Sequence, residues 1–531
     1  MNINNKMLKT ICEKVYNAVK DDDGRVHKAQ FIELLEEKGI LRDDPRISEF
    51  INAIQKFHGT VEKKNFVNCI AKNISIIEKA FSNEFIIHNF EEFTEDIREI
   101  YNKCLDEKGG DIATYIPQLA KQDPEHFGVS VCTIDGQRAH FGNTDVEFCI
   151  QSCSKPITYS LALEEHGKDK VHNHVGREPS GSSFNALKLN DKGRPHNPLI
   201  NSGAIMTCSL IKPEEEAADR FDYVLNMWKK LAGNKSMGYN NSVYLSERMT
   251  ADRNFALAYF MNENKAFPDK TNIVEVLEFY FQCCSLTLDT NMMSIVAATL
   301  ANGGVCPITG EQVLKAETVK NVLSMMYSCG MYDYSGEFAF KIGLPAKSGV
   351  AGGIFAVIPN VMGVCSFSPR LDDFGNSQRG VKFFTELTNK FNFHLFDNIE
   401  NIDNNKKDPR TIKDQNEVTV EEIIKYSSLG DLSALKRVNI HNNSEFCKGD
   451  YDNRTPLHLA ASNGHLNVVK YLIEECGILD VNPIDRWGGT PYDDALREKH
   501  SEVAAYLKSI GGDKKKLDNS LSNNSLDSTL P

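Results

Sequence analysis

A repeat near the C-terminus constrains the fold of this chain more than any other feature. Thr455-Pro456 opens the run Leu457-His458-Leu459-Ala460-Ala461, and a Thr-Pro step returns at Thr490-Pro491, 35 residues on. A weaker unit ends in Leu429-Gly430-Asp431, 34 residues before Asn463-Gly464-His465. A unit of this size is one helix pair that cannot bury its apolar face alone, so about three must stack to hold a core. The stack claims residues 418–512 and leaves residues 1–417 to find cores of their own. A single core stops growing at about 250 to 300 residues, so these divide again.

The repeated motif resembles the ankyrin consensus, whose period is about 33 residues, and an ankyrin stack offers a surface to a protein partner. Beyond it, residues 513–531 are rich in Ser and Asn and are expected to be a disordered tail. Before it, residues 395–417 carry Asn, Asp and Lys with almost no apolar pattern and read as a linker.

Residues 1–92 place apolar side chains at helical spacing, as in Phe31, Leu34 and Leu35 or Phe50, Ile51 and Ile54, which predicts a small all-α domain. Asp21-Asp22-Asp23-Gly24 has the look of an EF-hand calcium loop. Aligning Gly24 with the turn glycine, however, puts Val19 first and Gln30 last, where Asp and a bidentate Glu are required. The expectation is an EF-hand-like domain without a competent calcium loop.

The segment 93–394 is mixed. Gly128 to Ile134 alternates like a strand, Asp135-Gly136 supplies a turn, and Ile354 to Phe367, broken by Pro359 and Asn360, reads as two strands and a turn. Strands at both ends with helices between predict an α/β sandwich with a mostly antiparallel sheet.

Composition excludes several functions. A net charge of −13 argues against nucleic acid, because neutralising phosphates needs clustered Lys and Arg, and the run Lys514 to Lys516 is a solvated tail. No stretch approaches the roughly 20 apolar residues of a membrane span. The 14 cysteines contain no CxxC pair, which predicts neither disulfide framework nor zinc ribbon and points to a reducing compartment. Met1 to Val15 has neither the apolar core of a secretory signal nor the Arg-rich character of a presequence. The chain as it stands reads as cytoplasmic.

Chemistry concentrates at Ser152-Cys153-Ser154-Lys155, a Ser-x-x-Lys pattern that places a serine at a helix start one turn before a lysine on the same face. The same spacing occurs at Ser209 to Lys212 and at Ser433 to Lys436, so spacing alone does not select a site. Context does. Pro156 in the first turn, Ile157, Leu161 and Leu163 behind it and Gly167 as a stop predict a buried helix after Ser152. Burial and the positive helix end both disfavour the Lys155 ammonium, which makes it a usable base for the serine. A second element, Lys347-Ser348-Gly349-Val350 followed by Ala351-Gly352-Gly353, is comparable to the Lys-Thr-Gly strand that accompanies Ser-x-x-Lys in penicillin-recognising enzymes. Its glycines are expected to let a substrate approach the backbone. His166, His172 and His174 lie close in sequence, but no carboxylate or cysteine completes a ligand spacing, and no metal is expected there.

Longer segments carry a resemblance. Tyr115-Ile-Pro-Gln-Leu-Ala120, Gln151 to Pro156, Glu178-Pro-Ser-Gly181 and Pro195 to Ala204 are similar in order and spacing to the glutaminase family. So are Ser246-Glu-Arg248 with Asp252-Arg-Asn254, Phe279 to Gln282, Cys329-Gly-Met-Tyr-Asp333 and Ala346 to Gly353. Together with the helical N-terminus and the ankyrin tail, this is the layout of animal kidney- and liver-type glutaminases.

The resemblance implies a β-lactamase-like catalytic fold and hydrolysis of L-glutamine to L-glutamate and ammonia. It implies Ser152 as nucleophile, Lys155 as its base and Tyr332 as proton relay, with the backbone N–H groups of Ser152 and Val350 as oxyanion donors. Asn201, Glu247, Asn254 and Tyr280 would hold the amino-acid end of the substrate, with Tyr115 closing over it. The chemistry fits a zwitterion independently: Glu247 can meet the ammonium, and Asn201, Asn254 and Tyr280 can donate to the carboxylate. No cofactor is required. A homotetramer, phosphate as an activator and a mitochondrial address come with the family.

Two departures stand out: Ser154 replaces a common Val, and Lys188 lies in the loop Phe184 to Asn190, where an aromatic or small residue is usual. Two other readings compete. An exported β-lactam or peptidoglycan acyl transferase would share both motifs but calls for a signal peptide. An ankyrin scaffold on an inactive enzyme would be expected to have lost Ser152, Lys155 or Tyr332.

Overall fold

The computed structural model describes residues 3–82, 84–397, 406–410, 420–432, 435 and 445–513. Most of the linker expected over 395–417, the tail beyond Asp513 and the Ser-x-x-Lys match at Ser433 lie outside these residues. The chain forms two compact units, divided after Thr411.

The first unit opens with a pair of helix–strand–helix motifs. Ile3–Val19, Arg25–His27 and Lys28–Glu37 make the first, and Thr60–Glu62 and Lys63–Ile70 belong to the second. Their short strands pair antiparallel at Val26 and Val61, the geometry of two EF-hand loops back to back. Phe31, Phe50 and Phe66 meet edge-on in the core. In the Asp21–Gly24 loop, Asp21 Oδ1 accepts from the Arg25 N–H at 2.7 Å and the Gly24 carbonyl accepts from the Tyr16 hydroxyl at 2.8 Å. The turn is thereby closed by protein groups.

The catalytic half is built on a five-stranded antiparallel sheet. In spatial order its strands are Arg138–Gly142, Gly128–Thr133, Met362–Phe367, Gly353–Ile358 and Ala346–Ser348. Val364 stands opposite Val131 on one side and Ala356 on the other, which fixes the register. Helices Phe90–Leu105 and Gln378–Lys390 cover one face through Phe93, Ile97, Phe383 and Leu387. Helix Thr290–Ala301 covers the other so closely that a Cβ on Gly363 would come within 2.1 Å of the Ala298 nitrogen. The strand read for Gly128 to Ile134 is present as Gly128–Thr133, and all six of its residues are buried. Its small polar positions face a helix, where the Ser130 hydroxyl meets that of Thr290 at 2.8 Å. A helical region spanning Lys155 to Cys329 packs beside the sheet around the buried Trp228.

The N-terminal helices grip the turn at the sheet's end. Arg46 donates to the Asp135 and Gly136 carbonyls at 2.6 and 2.8 Å, and Arg138 pairs with Asp43 at 2.8 Å. Part of the linker segment also belongs to this unit, since Lys407 pairs with Glu92 and Asp96 of helix Phe90–Leu105.

The second unit contains the ankyrin helices Val420–Leu429, Pro456–Ser462, Leu466–Glu474, Pro491–Arg497 and Ser501–Ser509. Thr455 and His458 form a capping box with Pro456 in the first turn, and His458 Nε2 reaches the Gly489 carbonyl of the next repeat at 3.2 Å.

Among the described residues no helix is long and apolar enough to cross a membrane.

Candidate active site

The site forms where a strained turn delivers Ser152 to the edge of the sheet. Gln151 adopts a left-handed conformation (φ 47°), a state that costs about 1 to 3 kcal/mol in a non-glycine residue and persists only when its surroundings hold it. A 3-10 turn, Gln151–Ser154, then feeds helix Lys155–Val171 with Pro156 in its first turn. Gly167 (φ 73°) interrupts the helix where the sequence predicted a stop. Ser154, the departure inside the motif, is buried and donates to the Gln151 carbonyl at 2.7 Å, tying down the strained residue rather than facing the reaction.

Lys155 is wholly buried. Its Nζ donates to Ser152 Oγ at 2.8 Å and to Asn201 Oδ1 at 2.8 Å. Burial lowers its pKa to about 8, so a substantial fraction is neutral near physiological pH. A neutral amine hydrogen-bonded to a hydroxyl is chemically able to take that hydroxyl's proton.

Tyr332 approaches from the other side, also with positive φ (54°). Its hydroxyl faces the Ser152 hydroxyl and the Val350 N–H, and burial holds its pKa above the usual tyrosine range. The ring packs on Phe184 at 5.0 Å between centroids.

A cavity of about 350 Å³ lies in front of Ser152 and is lined by Tyr115, Asn201, Glu247, Asn254, Tyr280 and Val350 among others. The structure thus brings together every residue named from the sequence: those six with Ser152 on the wall, Lys155 beneath the floor, Tyr332 at the side. Glu247 is turned away from Arg248, which pairs with Glu278 instead. Its Oε1 accepts from the Tyr115 hydroxyl at 2.5 Å, and burial raises its pKa against the pull of Tyr115, Gln151 and Lys155. About half of Tyr115 is exposed, so this residue forms the rim with its hydroxyl directed inward. Asn201 differs from expectation in its first duty. Its Oδ1 serves Lys155 and its Nδ2 donates to Asn254 Oδ1 at 3.0 Å, which leaves the Asn254 amide group to face the cavity. Tyr280 is 5% exposed and sits in the wall rather than in the apolar core alone.

The glycines after Lys347 are also required by packing. A Cβ on Gly349 would crowd the Ile150 carbonyl at 2.8 Å, one on Gly352 the Ser368 carbonyl at 2.2 Å and one on Gly353 the Phe148 ring at 2.5 Å. Sequence reasoning missed the strained backbone of Gln151, which no glycine signals. Lys347, read from the sequence only as part of the Lys-Ser-Gly element, is a wholly buried amine in a strand of otherwise small residues. Lys188 reaches the Ser180 carbonyl across its loop at 3.4 Å.

The histidines are engaged elsewhere: His172 with the Tyr159 hydroxyl and the Val175 carbonyl, His174 with the Ala266 carbonyl and His166 with the Leu210 carbonyl. Of the other Ser-x-x-Lys match, Ser209 is buried at a helix end and donates to the Met206 carbonyl, while Lys212 pairs with Glu215.

Comparison with known proteins agrees with this geometry. A family model described as Glutaminase matches residues 110–396. Models described as EF-hand domain and Ankyrin repeats (3 copies) match 11–88 and 423–518. The chain is 44% identical to the mitochondrial liver isoform of glutaminase from Mus musculus over 513 residues, covering 94% of this chain and 84% of that one. It is 47% identical to a glutaminase from Nostoc sp. over 302 residues, 57% of this chain and 89% of the relative. Among solved structures, the probable glutaminase ybaS superposes with a TM-score of 0.55 at 36% identity, over 57% of this chain and 98% of that one. Mglu in its glutamate form gives 0.53 at 37%, over 56% and 68%.

Proposed function

The chain belongs to the glutaminase family and hydrolyses glutamine to glutamate, and we propose that it does so through a serine acyl-enzyme with Lys155 as base. One observation carries the proposal: the Lys155 amine, wholly buried and in no ion pair among the described residues, lies 2.8 Å from the hydroxyl of Ser152. The catalytic fold is β-lactamase-like, with an EF-hand domain before it and ankyrin repeats after it.

In the proposed reaction, Ser152 Oγ attacks the side-chain amide carbon of glutamine as its proton moves to Lys155 Nζ. The oxyanion is held by the backbone N–H groups of Ser152 and Val350, each such donor lowering the barrier by about 3 kcal/mol. The C–N bond then breaks. The proton on Lys155 passes by way of Tyr332 to the leaving nitrogen, and ammonia departs. Water attacks the ester carbon, giving its proton to the same base, which returns it to Ser152 Oγ as the ester bond breaks and glutamate is released. Glu247 holds the substrate ammonium, while Asn254 and Tyr280 donate to its carboxylate with Asn201 fixing Asn254.

The reading includes no metal or cofactor. It also takes in a homotetramer, a response to phosphate, a protein partner at the ankyrin surface and a cytoplasmic or mitochondrial address, the last carried by relatives named mitochondrial. The test is an assay of ammonia and glutamate from glutamine with and without EDTA and phosphate, alongside Ser152→Ala. EDTA-resistant turnover that vanishes in the variant is the expected result. Turnover that survives Ser152→Ala would overturn the serine mechanism.

A further inference from the structure

A second buried amine stands beside the first. Lys347, in the edge strand Ala346–Ser348, is fully buried, and among the described residues it forms no ion pair. Its Nζ donates to the Ser348 carbonyl at 2.6 Å and lies 4.4 Å from the centroid of the Tyr332 ring. It does not line the substrate cavity. Two amines and a phenol thus surround Ser152, and the mechanism above uses only one of the amines.

We propose that Lys347 is the proton partner of Lys155: the two buried amines hold one positive charge between them, and it rests on the face of Tyr332 while Lys155 acts as base. The inference rests on the serine–lysine reading of the site. Lys347 is a positioning residue, since it acts through Lys155 and Tyr332 and touches no substrate atom.

The argument is electrostatic. The groups that face Lys347 are Lys155 and Cys153 from the turn and helix after Gln151, Cys284 and Cys329 from the ends of their helices, and Tyr332. Burial holds all three thiols above their ordinary range, Cys153 and Cys284 at about 12, so none supplies a negative charge at neutral pH. Two ammonium groups in so dry a place repel each other, and such a pair loses its protons in two coupled steps. Burial, then the charge of Lys155, lowers Lys347 to about 7, below Lys155 at about 8, so the single charge rests mostly on Lys155 and the arrangement with the charge on Lys347 is the minor, reactive one.

With one proton present, two arrangements compete. On Lys155 the charge sits among the Ser152 and Asn201 oxygens and the serine has no base. On Lys347 the charge gains the Ser348 carbonyl and the ring face of Tyr332, a contact that strengthens when desolvated. The second arrangement is the reactive one. It frees Lys155, and it also places a cation where a developing negative charge on the Tyr332 oxygen would be stabilised.

The sign of the effect follows. Without the Lys347 amine, Lys155 loses a repulsive neighbour and binds its proton more tightly, so the acidic limb of kcat/KM moves to higher pH. Lys347→Met and Lys347→Gln are each expected to shift that limb up by about one unit and to reduce kcat about tenfold at pH 7, leaving KM within about twofold. Lys347→Arg keeps a fixed cation and is expected to hold the limb at or below its wild-type position. An unmoved limb in the two neutral variants, with melting as in wild type, would overturn the proposal, and so would an Arg variant that shifts as Met does. Should the neutral variants fail to fold, wild-type protein labelled with ε-13C lysine decides. Two lysine Cε signals titrating between pH 6 and 9 are expected, and a single one overturns the shared charge. This readout needs no turnover, so it stays separate from the Ser152→Ala test of the mechanism.

Discussion

Two regions of this molecule bury charge, and they do so in opposite ways. At the seam between the N-terminal helices and the sheet, Arg138 and Asp44 are each about 1% exposed, and the charges around them alternate: Asp44 with Arg46, Asp43 with Arg138 and Lys235. Around Ser152, the buried Lys155, Lys347 and Glu247 face neutral groups or each other, and among the described residues none of them forms a close ion pair. Pairing fixes protonation states, whereas burial without a partner brings an amine near the pH at which it can exchange protons. The first region is therefore built to hold and the second to transfer.

The comparison can be broken at several points. The largest effect is expected from Ser152→Ala, a fall in kcat of roughly 10⁴-fold or more with an unchanged melting temperature. Lys155→Met should abolish turnover equally while raising the melting temperature, because a buried amine without an anion is replaced by an apolar chain of similar shape. A lower melting temperature in that variant would show that the amine is structural. At the seam the order reverses. Asp44→Ala strands Arg46, leaves the buried Arg138 with Asp43 alone, and should cost about 3 kcal/mol in chemical denaturation, with kcat/KM per folded molecule nearly unchanged. Glu247→Gln, which keeps the size and removes the charge, is expected to raise KM about thirtyfold and to change kcat less, as loss of one charge-assisted contact to an ammonium would.

Proton dependence sharpens the contrast. The lowered Lys155 pKa means that the free base accumulates as pH rises, so kcat/KM should climb through about 8 on its acidic side. A profile flat from pH 6 to 9 would remove Lys155 from the role of base. The smallest effect concerns Asp43, which Arg138 and Lys235 lower to about 2 against its burial. Its contribution to stability is present above the unfolded value of about 4 and is lost as pH falls from there towards 2. Asp43→Asn should therefore melt lower than wild type at pH 6 and converge with it near pH 2.

Much of this was legible in the sequence because it was local. Pro156, the apolar run after it and Gly167 announced a buried helix behind Ser152, and the Thr-Pro steps at Thr455 and Thr490 announced a repeat. What stayed hidden depended on partners far along the chain. The resemblance implied Glu247 for the substrate ammonium, but nothing local says that its hydrogen-bond partner is Tyr115, 132 residues earlier. The strain at Gln151 leaves no residue-type signal, because its surroundings rather than its own side chain impose the conformation. The glycines of Ala346 to Gly353 spoke of close approach, but only the three-dimensional packing says that Cys153, Phe148 and Ser368 are what approaches. The alternation of Gly128 to Ile134 announced a strand but not its burial on both faces, since small polar residues facing a helix look in sequence like residues facing water.

The hydrogen bond from Tyr115 to Glu247 has one more consequence. The tyrosine hydroxyl occupies the carboxylate oxygen that an incoming ammonium would use, so the rim residue is a placeholder for the α-amino group of the substrate. An ammonium can displace it, because a charge-assisted contact is roughly twice as strong as a neutral one. A simple amide has nothing to offer Glu247 in exchange, and Tyr115 stays where it is. On the proposed reading the site would test the far end of a substrate before the rim yields, and molecules that carry the reactive bond alone would be turned over poorly.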